Sequence, residues 1–243
     1  MAHSMRRAPK GLTLVEILIV TAIIGVLVAL MLPMYRSAPE AARRNTCLNN
    51  LKHIARGLSA YAEEHGTLPP AYTVDEAGNR LHSWRTLILP YMEHQTLYDR
   101  IDLTKPWDDP ANAAARKTAV EEYLCPSAII EPPLTTYMVV VGEDFAFTGS
   151  TPRPLSDVTD GESNTVAVVE ARADQAVHWM SPHDLSVEDA LVASAEEDTH
   201  PPHPGVFQAA FLDGHATSLS IEGVSRDTLQ GVLTVAGGEV LDR

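Results

Sequence analysis

The last third of the chain concentrates histidine and acidic residues of the kinds that bind metal ions or transfer protons. Five of the ten histidines fall between His178 and His215. Neighbouring acids could add carboxylate oxygens, which are the ligands that hard cations such as Ca²⁺ prefer. The residues of this candidate metal set are Asp157, Asp160, Glu170, His203 and Asp213.

A structural role explains the same residues more simply. Asp160-Gly161 and Asp213-Gly214 are pairs typical of turns, and His203 could form a hydrogen bond between strands. The sequence contains no HExxH zinc motif, no GxSxG nucleophile motif and no glycine-rich phosphate loop. We therefore predict no catalytic residue and no cofactor, and we keep bound Ca²⁺ as the alternative.

A single acid lies in the most apolar stretch of the chain. The run Leu12–Leu32 contains Glu16 as its only charged residue, and the segment before it is short and basic. As a helix this run would be about 30 Å long, enough to cross the hydrocarbon core of a bilayer. A carboxylate at the bilayer centre costs about 2.5–3.5 kcal/mol, so we predict a function for Glu16. The alternative is that Glu16 lies near the membrane edge and reaches the headgroups.

The junction between the basic segment and the apolar run reads K-G-L-T-L-V-E, from Lys10 to Glu16. It resembles the cleavage and methylation segment of type IV prepilins and type II secretion pseudopilins, although that family prefers Phe where this chain has Leu12. The resemblance implies that a prepilin peptidase cuts after Gly11 and that Leu12 becomes the methylated N-terminus. It also implies that Glu16 neutralises the N-terminal amine of a neighbouring subunit, and that Pro33 is the kink proline of these helices.

The same resemblance implies a location and a set of partners. The protein would cross the inner membrane once, with its N-terminus in the cytoplasm and its head outside, in a filament or at the cell surface. Its partners would be the prepilin peptidase, sister pilin or pseudopilin subunits, and inner-membrane lipid. Nucleic acid is an unsuitable partner, because the formal net charge of −14 repels phosphates.

The two cysteines, Cys47 and Cys125, would then lie in an oxidising compartment. Two thiols in such a compartment favour a disulfide, and neither cysteine has the CxxC neighbour expected of a metal pair. We predict a Cys47–Cys125 disulfide, which would contribute about 4–5 kcal/mol by restricting the unfolded chain. The alternative is two separate buried thiols.

Hydrophobic periodicity predicts a long first element. Beyond the apolar run, buried-type residues recur at steps of three and four until Gly66, a plausible stop signal. They are Leu48, Leu51, Ala55, Leu58 and Ala62. After a leader at 1–11, residues 12–65 should therefore form one kinked helix of about 80 Å, with 12–32 in the membrane.

The rest of the chain, 66–243, is predicted to be a globular head. Residues 66–134 should be mostly short helices and loops, including a helix from Asp109 to about Glu122. Residues 135–243 should be mostly β-structure with a C-terminal helix. The fold class is thus α+β, a pilin-like long helix packed on a head with inserted short helices and an antiparallel sheet.

Two strand predictions are clearest in the second part of the head. Residues 163–171 are rich in valine and predict one strand, and residues 206–221 predict a hairpin. The pair Asp213-Gly214 supplies a two-residue turn that needs positive φ angles.

His203, Asp213 and Gly214 form an H-x9-D-G pattern. Together with EEYLCPS and DVTDGESNTVAVVE, this pattern resembles a large bacterial family of prepilin-like proteins whose head is a domain of unknown function. The resemblance makes these three residues family-motif positions, but it implies no reaction. We therefore predict a structural and assembly subunit that is not an enzyme. The alternatives are a membrane-tethered ligand-binding module outside the cytoplasm and a metal-dependent hydrolase.

Overall fold

The computed structural model describes residues 14–195, 202–203, 205–220 and 226–237. The chain divides into two compact units, and the boundary lies between Ala42 and Arg43. The predicted cleavage positions, Gly11 and Leu12, lie outside the described residues, so both stay predictions.

The first element is helix α1, Leu14–His65. In the first unit every side chain from Leu14 to Val26 is exposed, and this apolar surface surrounds the helix on all sides. Within the described part of the chain, no helix has both the length and the apolar content that crossing a membrane requires. Pro33 lies inside α1, and its kink stays a prediction.

In the second unit one face of α1 is buried in the core of the head. Its apolar residues recur at three- and four-residue steps, the spacing that brings side chains onto one side of a helix. They are Cys47, Leu51, Ile54, Ala55, Leu58 and Ala62, each at most 2% exposed. The helix ends before Gly66, whose φ of 74° is the left-handed conformation that glycine adopts readily.

Short helical segments follow α1, as the sequence predicted. The prediction of one helix from Asp109 to Glu122 is wrong, because the 3₁₀ turn Pro110–Asn112 leads into only one short α-helix, α4 Ala113–Arg116. Beyond α4 the backbone carbonyl of Thr118 accepts a hydrogen bond from the Trp179 indole at 2.9 Å, and Val120 turns into the core. The α-helices of this segment are α2 Trp84–Leu87, α3 Gln95–Tyr98 and α4 Ala113–Arg116.

Three antiparallel sheets form the β-structure of the described residues. The strands are β1 Tyr72–Val74, β2 Arg80–Ser83, β3 Leu134–Thr135, β4 Tyr137–Met138, β5 Val166–Glu170, β6 Val177–His178, β7 Val206–Phe211 and β8 Ala216–Ser220. Two sheets have two strands each, β1 with β2 and β3 with β6, and the third has four strands in the order β4-β5-β7-β8. The predicted strand at 163–171 is thus confirmed as β5.

The four-stranded sheet has an apolar core on each face. Val168 on β5 and Ala210 on β7 belong to the core that contains α1. Their neighbours Val169 and Ala209 belong to a second core, which also contains residues of α5, Val187–Ala195, and α6, Arg226–Leu233. Successive residues of a strand point to opposite faces, so this alternation fixes which side chains can meet α1.

The predicted hairpin is confirmed, but its turn differs. The strands β7 and β8 pair from Val206–Ser220 to Ala210–Ala216. Phe211 and His215 are joined by a 2.9 Å hydrogen bond, so three residues rather than two form the loop. Of these, only Gly214 has a positive φ, at 88°. One left-handed glycine is what a three-residue hairpin loop requires.

A buried ion pair joins the inserted helices to the sheet region. The Arg85 guanidinium on α2 contacts the Asp184 carboxylate at 2.5 Å, and the two side chains are 0% and 1% exposed. Asp184 also accepts hydrogen bonds from the Trp84 indole at 3.1 Å and from the Val139 backbone at 3.0 Å. Arg85 donates to the Tyr137 carbonyl at 2.9 Å. Both charges are therefore paired and hydrogen-bonded, as burial requires.

Candidate functional site

Helix α1 and a loop bring Cys47 and Cys125 together in the core. Cys47 lies on the buried face of α1, and Cys125 follows a 3₁₀ turn. The Asn50 side chain on α1 holds that loop by donating to the Leu124 carbonyl at 2.9 Å. The two sulfurs are 2.7 Å apart, and the structure has no bond between them. The predicted disulfide therefore stays a prediction, with its two residues adjacent.

Glu170 and His203 complete a cluster with the two cysteines. Because Val168 faces α1 and Val169 faces away, the alternation of β5 turns Glu170 toward α1. The His203 Nε2 lies 3.5 Å from Glu170 Oε2 and 3.6 Å from Cys125 Sγ. The four side chains place their ligand atoms within 4.8 Å of one another. We call Cys47, Cys125, Glu170 and His203 the four-residue cluster.

The four-residue cluster is shielded from solvent. Cys47 and His203 are 0% exposed, and Cys125 and Glu170 are 4% exposed. The hydrogen bond between the thiols, together with burial, raises the pKa of Cys125 to about 12. Burial also raises the pKa of the neighbouring Tyr137 hydroxyl, with the charge of Glu170 as the next contribution. A group of ionisable side chains is thus held where water cannot stabilise negative charge.

The loop that contains Cys125 donates a backbone hydrogen bond to the Cys125 sulfur. The backbone amide of Ser127 donates to Cys125 Sγ at 3.4 Å. The Arg43 side chain on α1 donates to the Ser127 hydroxyl at 3.2 Å, which fixes the loop from outside. A groove lined by Thr46, Asn50 and Pro126 leads to the same cysteine. Cys125 is therefore held by neighbouring groups and borders a surface groove, while the other three residues of the cluster do not line it.

The candidate metal set from the sequence is only partly assembled. Glu170 and His203 belong to the four-residue cluster, whereas Asp157, Asp160 and Asp213 lie outside it. Asp160 accepts a hydrogen bond from the Gly237 backbone at 2.7 Å. Asp157 lies 4.0 Å from the Arg153 guanidinium. Asp160 and Asp157 therefore contact other residues of the head, and their roles as metal ligands or turn residues stay predictions.

The H-x9-D-G pattern separates into two parts with different environments. His203 is buried in the four-residue cluster, while Asp213 and Gly214 form the exposed end of the hairpin. The Asp213 carboxylate accepts a hydrogen bond from the His215 backbone at 3.0 Å, and its own amide donates to the Glu162 carbonyl at 3.3 Å. The histidine and the aspartate therefore do not act on one ligand.

Sequence reasoning missed that the cysteines meet Glu170 and His203. The four residues come from four separate segments, so no local spacing such as CxxC exists to reveal them. Two signals were available in the sequence. The helical periodicity of α1 places Cys47 near its apolar face, and the alternation along β5 places Glu170 on the same side as Val168.

The N-terminal site residue has a different setting. Glu16 lies in the first turn of α1 and is exposed, between the exposed side chains of Val15 and Ile17. Anions near the first turn of a helix are favoured by the helix dipole.

Comparisons with known proteins match the N-terminal segment and the first part of the head to two different family models. Residues 6–32 match the family model described as Prokaryotic N-terminal methylation motif, and residues 36–142 match the one described as Protein of unknown function (DUF1559). The chain is 36% identical over 64 residues to Type II secretion system core protein G of Pseudomonas aeruginosa. That alignment covers 26% of this chain and 45% of the relative, so the chain spans less than half the length of the curated relative it matches.

No solved structure matches the chain. The two family models leave the second part of the head, with Glu170 and His203, outside their matched ranges. The chain therefore carries a prokaryotic N-terminal methylation motif followed by a DUF1559 segment, and it is similar to a core protein of type II secretion.

Proposed function

We propose that this protein is a pilin-like or pseudopilin-like subunit that assembles through its N-terminal helix, in a type II secretion or type IV pilus-like assembly. The match of residues 6–32 to the N-terminal methylation motif carries the proposal. The similarity to a type II secretion core protein also supports it. The role proposed is structural, and the head decorates the assembly rather than catalysing a reaction.

The proposed anchor is the apolar run Leu12–Leu32. Every side chain from Leu14 to Val26 is exposed, including Leu14 at 80% and Leu18 at 61%. A helix that is apolar on all sides is stable only when lipid or other helices cover it. The run therefore inserts into the inner membrane, with the leader in the cytoplasm and the head outside.

Processing creates the partner that Glu16 requires. Prepilin peptidase cleaves after Gly11, and the amine of Leu12 becomes the N-terminus and is methylated. A carboxylate in an apolar layer is costly unless a positive charge lies beside it. The amine of an adjacent subunit lies in the same layer and pairs with Glu16.

Assembly then follows from packing. The apolar surface of α1 leaves lipid for a bundle of sister helices, where close contacts between side chains replace contacts with lipid. The pairing of Glu16 with a neighbour's amine fixes the axial register of one subunit against the next.

The test replaces Glu16→Ala in the full chain, in cells that make the assembly. We expect unchanged membrane insertion and a drop of about tenfold or more in recovered filaments or complexes, because one buried charge loses its partner. The matched control is Glu63→Ala, which removes an exposed acid from the same helix. Assembly of the Glu16→Ala variant at the level of the control would contradict the proposal.

A further inference from the structure

We infer that Cys47, Cys125, Glu170 and His203 bind one zinc ion in a closed structural site within the head. Their ligand atoms converge within 4.8 Å, and each side chain comes from a different segment of the chain. The inference concerns the head alone and is independent of how the N-terminal helix assembles.

The donor atoms select the class of metal. Two sulfurs, one imidazole nitrogen and one carboxylate oxygen form a set that suits Zn²⁺, which binds Cys, His and acidic ligands tetrahedrally. Ca²⁺ and Mg²⁺ take oxygen ligands and are poorly matched by two sulfurs. The calcium set proposed from the sequence is thus replaced by a set that shares only Glu170 and His203 with it.

Burial supports a cation at this position. Glu170 is 4% exposed, and a carboxylate in such a place requires positive charge or hydrogen bonds nearby. Zn²⁺ would bond the Glu170 carboxylate directly, and its two positive charges would balance the two thiolates that form when it binds. When it binds, the Cys47 and Cys125 thiols lose their protons to solvent and form two sulfur–zinc bonds, with no oxidation or reduction.

Zinc coordination requires side-chain movements of about 1 Å, because the ligand atoms lie up to 4.8 Å apart. Zinc lies about 2.3 Å from sulfur and about 2.0–2.2 Å from nitrogen or oxygen, so tetrahedral ligand atoms are about 3.3–3.8 Å apart. The His203 Nε2 already lies 3.5 Å from Glu170 Oε2 and 3.6 Å from Cys125 Sγ. The two sulfurs, at 2.7 Å, would separate by about 1 Å.

A disulfide accounts for fewer of these contacts. It would use the two sulfurs and leave the Glu170 carboxylate and the His203 ring packed against an uncharged bond. Zinc uses all four groups, and the Ser127 amide that donates to Cys125 Sγ is the kind of outer contact that holds a metal-bound thiolate.

The site would join four parts of the head that are distant in sequence. Cys47 is on α1, Cys125 is in the loop after the 3₁₀ turn Glu121–Tyr123, Glu170 ends β5, and His203 precedes β7. Four protein ligands leave no open position for a substrate, so the ion stabilises rather than catalyses.

The test measures metal in the full chain, purified in detergent without chelator, by inductively coupled plasma mass spectrometry. We expect about one zinc per chain, and chelation should release the ion and lower the melting temperature of the head. Replacement of zinc by Co²⁺ should produce a sulfur-to-cobalt charge-transfer band, which reports the two thiolates without any substitution. An ion content below about a tenth per chain after dialysis against zinc would overturn the inference. A mass lower by two hydrogen atoms would then identify the disulfide instead.

Variants separate this site from the alternatives. His203→Gln and the double variant Cys47→Ser with Cys125→Ser should each lose the zinc. The matched control is Asp213→Asn, which alters the other half of the H-x9-D-G pattern but lies outside the cluster, and it should retain the full zinc content. Retention of zinc in both cluster variants, or loss of zinc in the control alone, would place the metal elsewhere and overturn the inference.

Discussion

At the scale of single residues, the head depends on buried polar groups that are held in pairs. Arg85 and Asp184 are almost fully buried, and the hydrogen bonds around them reach α2, the Tyr137 carbonyl on β4 and the Val139 backbone. An intact buried ion pair contributes no more to the stability of the fold than well-packed apolar side chains of similar volume would. Removal of one partner, however, leaves an uncompensated charge in the core. The head can therefore keep this arrangement of helices and strands only while both Arg85 and Asp184 are present.

The substitution Asp184→Asn should destabilise the head by about 3–5 kcal/mol, because the Arg85 charge stays buried without a counter-charge. The measurement is urea unfolding of the full chain in detergent, followed by the fluorescence of the buried Trp84 and Trp179. The control Asp174→Asn breaks the exposed pair with Arg172 and should change stability by at most about 1 kcal/mol. Equal effects of the two substitutions would show that the buried pair has no special role.

At the scale of elements, α1 packs closely against the inserted helical segment through a glycine. A Cβ atom on Gly57 would lie 2.8 Å from the Met92 side chain and 3.6 Å from that of Ile88. Glycine lowers helix stability by about 1 kcal/mol relative to alanine, so its presence inside α1 needs a packing reason. The close approach of Met92 is that reason.

The substitution Gly57→Leu should destabilise the head by about 1–3 kcal/mol, because the added side chain must displace Met92 from a filled core. The same urea titration measures this change. His53→Leu adds the same side chain at an exposed position of α1 and serves as the control. If Gly57→Leu unfolded at the same urea concentration as the control, the proposed tight contact would be absent.

Elements with a strong local signal were predictable from the sequence. The buried face of α1, its end at Gly66, strand β5 and the β7–β8 hairpin all follow from periodicity and turn residues. The helix from Asp109 was not predictable to its end, because contacts distant in sequence, such as that of Trp179 with Thr118, stop it at α4. Tertiary contacts there outweigh local propensity.

The candidate site was even less predictable, because it is formed entirely by contacts between residues distant in sequence. The sequence pointed to Glu170 and His203 through residue type, and to the two cysteines through their compartment, but it could not join the two pairs. Only the fold shows that a helix face, a loop, a strand end and the segment before β7 meet at one point. Asp160 and Asp213 looked equivalent to Glu170 in the sequence, but they lie outside the cluster and accept hydrogen bonds from the backbone amides of Gly237 and His215.

At the scale of the whole molecule, the chain combines an apolar N-terminal unit with an α+β head that has its own core. The first unit exposes apolar side chains that require other molecules to cover them, while the second buries its apolar residues within itself. This contrast is what a subunit that assembles through one helix requires. The proposed assembly therefore depends most on the start of that helix.

The most direct test is mass spectrometry of the N-terminus of the protein extracted from the membranes of cells that contain prepilin peptidase. We expect a mature chain that begins at Leu12 with a methylated amine, and a chain that still begins at Met1 when the peptidase is deleted. A protein that retains Met1 through Gly11 in the presence of the peptidase would contradict the proposed assembly, because Glu16 would then have no neighbouring amine to pair with.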